Sequence, residues 1–263
     1  MKTLKSIGRQ GFLFMALCIV VLPVLYNLLL SFWGYGSLNG ELQPFSLRGY
    51  YEIFIERPHF LMKFWISLLL TGVIVLGQVC ISILAGYGFS QFLFPGKEFL
   101  FFLVIIMMIM PYQVTLVSNY MVIHFLHLED TYGALILPGI FSPFGVFLMR
   151  QAFDYSLSDC REAAMLDGAG SFQVLLHVML PQCKNIVAAL IVLSFIDNWN
   201  MVEQPIVYLR NSYKYPLSVF LSQIQGGDIA VRCACGMLAL LPVLLLFLYF
   251  SDDLLEGISI YRI

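Results

Sequence analysis

Glu162-Ala163-Ala164-Met165-Leu166-Asp167-Gly168 sits inside residues 151–184, the one long soluble interval in an otherwise apolar chain. Asp159, three residues before Glu162, makes a capping box with Asp in place of the usual Ser or Thr. Arg161 to Leu166 are mostly good helix formers, and Asp167-Gly168 supplies a stop, because Gly168 can take φ > 0 at the C′ position. Ser171 is expected to cap a second helix running to Leu180, and Pro181 falls where a new helix can begin. Ala163 and Ala164 are small enough to let another backbone approach closely. Met165 and Leu166 put apolar side chains into a segment that should face water. Two uses fit these residues: a docking surface for another protein, or packing of the loop onto the chain's own helical bundle.

A second group is Asp197-Asn198-Trp199-Asn200, with Glu203 close behind. Ionisable groups inside an apolar segment are expensive and mark function by default. A sugar needs hydrogen-bond partners and an aromatic face, and Asn200 with Trp199 offers both. The same residues also fit an outer interface with Trp199 in an aromatic belt, and Glu203 is read as interfacial. A third group is His124, His127, Glu129 and Asp130. That spacing could hold a metal, but no further ligand is identifiable, so a solvated external turn is expected and no metal is assigned. Cys233 and Cys235 lack a second pair and read as small buried hydrophobes. No G-x-x-x-x-G-K-[ST] loop occurs, and Gly96-Lys97 is followed by Glu98, so the chain is expected to bind no nucleotide and to catalyse nothing itself.

The elements that must position these residues are membrane helices. Hydrophobic residues make up 60% of the chain and charged ones only 11%, against about 25% charged in ordinary globular domains; mean hydropathy is +0.86. The net charge of −2 argues against a nucleic-acid binder. Charge-free stretches at 10–40, 64–96, 99–128, 131–149 and 233–251, with an interrupted one at about 185–208, predict six spans. Backbone groups in hydrocarbon must be satisfied internally, so the fold class is all-α and polytopic. The first stretch is too long for a cleaved leader and reads as an uncleaved anchor. Lys2, Lys5 and Arg9 place the N-terminus in the cytoplasm. Six spans then return the C-terminus to the same side and make 151–184 a cytoplasmic loop between spans four and five.

The loop residues carry a resemblance. Glu162-Ala163-Ala164, Asp167-Gly168-Ala169 and Leu180-Pro181 resemble the EAA loop of ABC importer permeases, in which E-A-A-x-x-x-G precedes a hydrophobic-Leu-Pro. Residues of about 64–250 are similar to the binding-protein-dependent transport module, particularly its MalG-like carbohydrate branch. The stretches that agree include Ala85-Gly86-Tyr87-Gly88-Phe89, Met108-Ile109-Met110-Pro111, Tyr132-Gly133-Ala134 and Trp199-Asn200. The resemblance implies a MetI-like permease fold divided as 1–63, an anchor helix and external loop, 64–251, the transmembrane domain, and 252–263, a cytoplasmic tail. It implies a bacterial inner-membrane location and a second permease subunit, expected to make a heterodimer. It further implies two ATPase subunits that carry the ATP and Mg, and an extracytoplasmic solute-binding protein. Glu162 to Gly168, with Pro181, would then form the ATPase-coupling segment. Asp197, Asn198, Trp199 and Asn200 would lie on the substrate path. A permease of the same superfamily for a polyamine or amino acid is the nearer alternative. A secondary transporter is the more distant one, which an internal inverted repeat would favour; none is found.

Overall fold

The computed structural model describes residues 2–35, 42–43, 45–56, 59–155, 158–223 and 229–260. Among these the chain is helical apart from one two-residue antiparallel ladder, Gly34–Tyr35 with Leu42–Gln43. Along the chain lie α1 (Lys2–Ser31), α2 (His59–Gln91), α3 (Lys97–Ile109), α4 (Tyr112–Phe125), α5 (Gly133–Gly139) and α6 (Pro143–Tyr155). There follow α7 (Ser158–Leu166) and α8 (Ser171–Val174), which continues through a π-helical turn (Leu175–Met179) into a last turn, Leu180–Gln182. Then come α9 (Lys184–Trp199), α10 (Glu203–Tyr208), α11 (Leu217–Gln223), α12 (Ile229–Tyr249) and α13 (Ser251–Ile260).

His59–Gln91, Gly133–Tyr155 and Ile229–Tyr249 are each long and apolar enough to cross a membrane. Two bent pairs pass the same test together: α3 with α4, broken by 108°, and Ser171–Gln182 with α9, broken by 82°. Met15–Ser31 is a shorter apolar helix. Two expectations are thereby sharpened. The stretch 99–128 is not one straight helix: Met110 and Pro111 are both extended (ψ 130° and 135°), and proline cannot donate the hydrogen bond that would carry the ladder on. The second loop helix does not stop at Leu180 either. It runs on to Gln182 and meets α9 at Cys183.

The chain forms two compact units. The first comprises Met1–Phe64 and Phe220–Leu241. In it the end of α1 is fastened by Ser31, fully buried, whose hydroxyl lies 2.9 Å from Tyr50 Oη. Cys233 Sγ donates to Asn27 Oδ1 at 3.4 Å.

The second unit comprises Trp65–Val219 and Pro242–Ile263. Lipid offers no hydrophobic drive for helix pairing, so close contact through small residues must supply dispersion energy instead. The α2 seam shows this. A Cβ on Gly86 would lie 2.6 Å from Met149 Cβ and 2.9 Å from the Arg150 backbone nitrogen. One on Gly77 would lie 2.5 Å from Ile140 Cγ2. Two buried clusters flank this seam. One gathers Tyr87, Met149, Phe153, Val174, Leu175 and Met179; the other gathers Leu70, Ile74, Ile123, Leu135, Tyr208 and Leu209. Between the helices side-chain amides do polar work. Gln78, 7% exposed, donates to the Gly139 carbonyl at 2.7 Å and accepts from Asn198 Nδ2 at 3.1 Å. It joins α2, the end of α5 and α9 in a single polar node. The C-terminal segment is a helix packed along α9, and Lys184 Nζ stands 3.3 Å from Asp253 Oδ1.

Candidate functional site

The sequence signals for α7 hold at its C-terminal end. Gly168 has φ +85°. Ala169 N–H donates to the Ala164 carbonyl at 3.0 Å, and Gly168 N–H to the Met165 carbonyl at 3.1 Å. That pair of bonds is a Schellman stop, which a left-handed C′ residue makes possible. The side chain of Asp159, expected to cap the other end, lies outside the described residues. The following helix opens differently from expectation. Gly170, not Ser171, is the cap residue, and its N–H donates to Gln173 Oε1 at 3.0 Å.

α7 is two-faced. Glu162, Ala163, Met165, Leu166 and Asp167 are exposed, with Met165 at 51% and Leu166 at 89%. Ala164 and Ala169 pack inward on the cluster around Phe153 and Leu175. Of the two alanines, Ala163 alone is open to another backbone. Pro181 is exposed in the last turn before Cys183, with Phe172 also exposed nearby. Packing of the loop onto the chain's own bundle accounts for the inward face, and the outward face lies open.

The inward side is anchored to helix ends. Arg161 Nη1 donates to Gln91 Oε1 at 2.5 Å, and Tyr87 Oη to the Ser171 carbonyl at 3.1 Å. Arg150 lies 3.8 Å over the Phe101 ring. Its Nη2 donates to both Glu98 oxygens at 3.0 and 3.2 Å, while Nε stands 3.5 Å from Asp154, ion-pair rather than hydrogen-bond distance. Ser90 Oγ donates to Asp154 Oδ1 at 2.5 Å. The ends of α2, α3 and α6 are thereby clipped together beneath α7. A guanidinium suits this place because it can stack on a ring and donate to a carboxylate at once.

The group on α9 divides by face. Asn198 and Trp199 are buried; Trp199 stacks on Phe195 with centroids 5.6 Å apart at 14°. Asp197 and Asn200 are exposed. Just beyond, Glu203 accepts from Gln113 Nε2 at 3.1 and 3.2 Å. Sequence reasoning missed Gln78 and Gln113. The signal for Gln78 is an amide in the middle of a long apolar helix; Gln113 shares its helix with Thr115, Ser118 and Asn119 and stands out less.

The histidine and carboxylate group forms a clasp. Among the described residues no three His, Cys, Asp or Glu side chains are placed to hold a metal ion. Instead Glu129 meets His124 Nδ1 at 2.6 Å and Arg210 Nη2 at 2.7 Å. Asp130 takes Lys214 Nζ at 2.7 Å and the N–H groups of Arg210 and Asn211, each at 3.1 Å. His127 and Asp130 hold positive φ (54° and 55°) to present the turn. The hydrogen bond from His124 is the main force holding Glu129 below the ordinary carboxylate range; for Asp130 it is the one from Lys214. Carboxylates with depressed values stabilise the native clasp fully above the ordinary carboxylate pKa of about 4. That stabilisation is lost as pH falls through the lower native values. Hydrogen-exchange protection of residues 128–131 and 209–215, taken relative to the unfolded-chain rate at each pH, should therefore be high at neutral pH and fall below about pH 4, with Asp130→Asn showing the low protection already at neutral pH. Equal protection at both pH values would remove the clasp.

The profile of the family described as binding-protein-dependent transport system inner membrane component matches residues 78–256. The arabinooligosaccharides transport system permease protein AraQ of Halalkalibacterium halodurans is 28% identical over 95% of this chain and 93% of its own length. The sn-glycerol-3-phosphate transport system permease protein UgpE of Brucella abortus is 28% identical over 74% of this chain and 71% of its own. Among solved structures, a chain of a bacterial ABC transporter involved in the import of the acidic polysaccharide alginate superposes with a TM-score of 0.83. It is 20% identical, covering 95% of this chain and 96% of that one, which speaks to the fold. A second structure of the alginate transporter, in complex with a pentasaccharide-bound periplasmic protein, gives 0.68 at 16% identity, covering 96% of each chain.

Proposed function

The chain belongs to the family of binding-protein-dependent transport system inner membrane components, and from that premise we propose that it is a membrane subunit of an ABC importer for a sugar or oligosaccharide. AraQ, matched over nearly its whole length, supports the sugar. In this reading α1, α2, the bent pair α3–α4, α5–α6, the bent pair ending in α9, and α12 make six spans. The basic N-terminus keeps both chain ends cytoplasmic in the bacterial inner membrane. A second permease subunit completes the path, two ATPase subunits carry ATP and Mg, and an extracytoplasmic binding protein delivers the solute.

The observation that carries the coupling role is α7, with Met165 and Leu166 exposed outside and Ala164 and Arg161 fixed inside. Met165 and Leu166 dock in the ATPase; Ala163 allows close approach and Glu162 makes polar contacts. Motion imposed there passes through Ala164, Arg161–Gln91 and Tyr87–Ser171 into α2. A rigid lever tied to a two-state bundle is what such coupling requires. Asp197 and Asn200 face the substrate path, with Asn198 and Trp199 holding their helix in place from behind.

Replacing Met165 and Leu166 with serine should cost little folding stability, since both are exposed, yet remove about 1.5–3 kcal/mol of docking per side chain. Solute-stimulated ATP hydrolysis by the reconstituted complex is then expected to fall about tenfold or more, with the chain still inserted. Unchanged stimulation would sink the coupling role. Purified alone, the chain should hydrolyse no ATP.

A further inference from the structure

Gln113 lies two residues beyond Pro111, at the break near the middle of the bent pair α3–α4. It is exposed, as is Ser118 on the same helix. Its amide holds both oxygens of Glu203, so the carboxylate stands at that break and not at the outer clasp formed by Glu129, Asp130, Arg210 and Lys214. Asp197 and Asn200, three residues apart on α9, share one exposed face. Exposed carboxylates are costly against hydrocarbon. In the importer reading this polar face lines the path shared with the second permease subunit.

The charge on this face has one sign. Between Glu98 and His124 the α3–α4 pair carries no charged side chain, and between Lys184 and Leu209 the charged residues are Asp197 and Glu203. Arg210 and Lys214, the next cations along the chain, are each matched by a carboxylate of the clasp. Gln113 steadies Glu203 with amide hydrogen bonds and brings no positive charge. A carboxylate with a neighbouring amide suits vicinal hydroxyls, accepting from both at once, and repels an anion.

We propose that Glu203, positioned by Gln113, is a specificity-determining residue that favours uncharged polyhydroxylated solutes over anionic ones. The proposal rests on the sugar-importer reading and goes beyond it. The relatives' named solutes include both a neutral oligosaccharide and a phosphate ester, so family membership does not choose between them.

The test uses the complete importer with its binding protein in proteoliposomes. An arabino-oligosaccharide is compared with its aldonate, whose reducing end is oxidised to a carboxylate, each at concentrations that saturate the binding protein by calorimetry. Wild-type complex should take up the neutral sugar about fivefold faster, the scale of one partly exposed like-charge contact. Glu203→Gln should bring the ratio close to one, Glu203→Asp should keep it, and Asp252→Asn, a carboxylate on α13, should leave it where it was. A wild-type ratio already near one, or a ratio unmoved in Glu203→Gln, overturns the proposal. No uptake of any sugar by the assembled complex overturns the sugar reading itself, and this proposal with it.

Discussion

Gly168→Val is expected to reduce solute uptake by the assembled importer about tenfold or more while leaving insertion and subunit assembly intact. Gly168 sits at φ +85°, and a Cβ there would meet nothing within 4 Å. The cost is therefore conformational alone. A β-branched residue in the left-handed region is strained by about 1–3 kcal/mol, enough to unwind a one-residue stop held by two hydrogen bonds. α7 would then lose its fixed end, and force applied at Leu166 would be absorbed in the loop. Gly168→Asn, which tolerates the left-handed region, should retain most uptake, with Gly168→Ala in between. The ordering Asn, Ala, Val is the signature, read by transport assay beside a measure of membrane-inserted protein. Full uptake in the valine variant would refute the lever.

The second large effect lies at the helix seam. Gly86→Leu should abolish accumulation of folded chain, because its Cβ would meet Met149 and the Arg150 backbone at 2.6–2.9 Å. Backbone cannot swing aside as a side chain can, so the cost lies at or above the upper end of the usual overpacking range, about 3 kcal/mol. Two residues on, Gly88 has nothing within 4 Å of its Cβ position. Gly88→Ala should be neutral or stabilise by up to about 1 kcal/mol through helix propensity. Fluorescence-detected size exclusion with a thermal ramp separates the two. Equal behaviour of the pair would mean that α2 and α6 do not cross at Gly86.

Different parts of this structure were legible to different degrees. Gly168 was readable because a helix stop is a local event: Asp-Gly after a run of helix formers leaves few alternatives. The apolar segments were readable because lipid imposes length and composition on them. The break at Met110–Pro111 was hidden, since proline is often absorbed in membrane helices with a mild kink. The inward turn of Ala164 was equally hidden, because two adjacent alanines differ only in which face they occupy. The clasp needed partners some eighty residues away, Arg210 and Lys214, and no local spacing announces such a pairing. Gln78 could have been found by asking why an amide stands in the middle of α2.

The break between α3 and α4 also bears on how the chain is made. α3 has 13 residues and α4 has 14, each about 20 Å long, while the hydrocarbon layer is about 30 Å. Neither half can leave the insertion machinery as a finished membrane segment. The bent pair reaches the needed length only with both halves present, and α5 and α6 (Gly133–Tyr155), which pack beside it, are translated after it. Ribosome-bound intermediates ending before Tyr155 are then expected to hold this region in an immature orientation, so that a corner fitted to transport would also shape the order in which the chain is inserted.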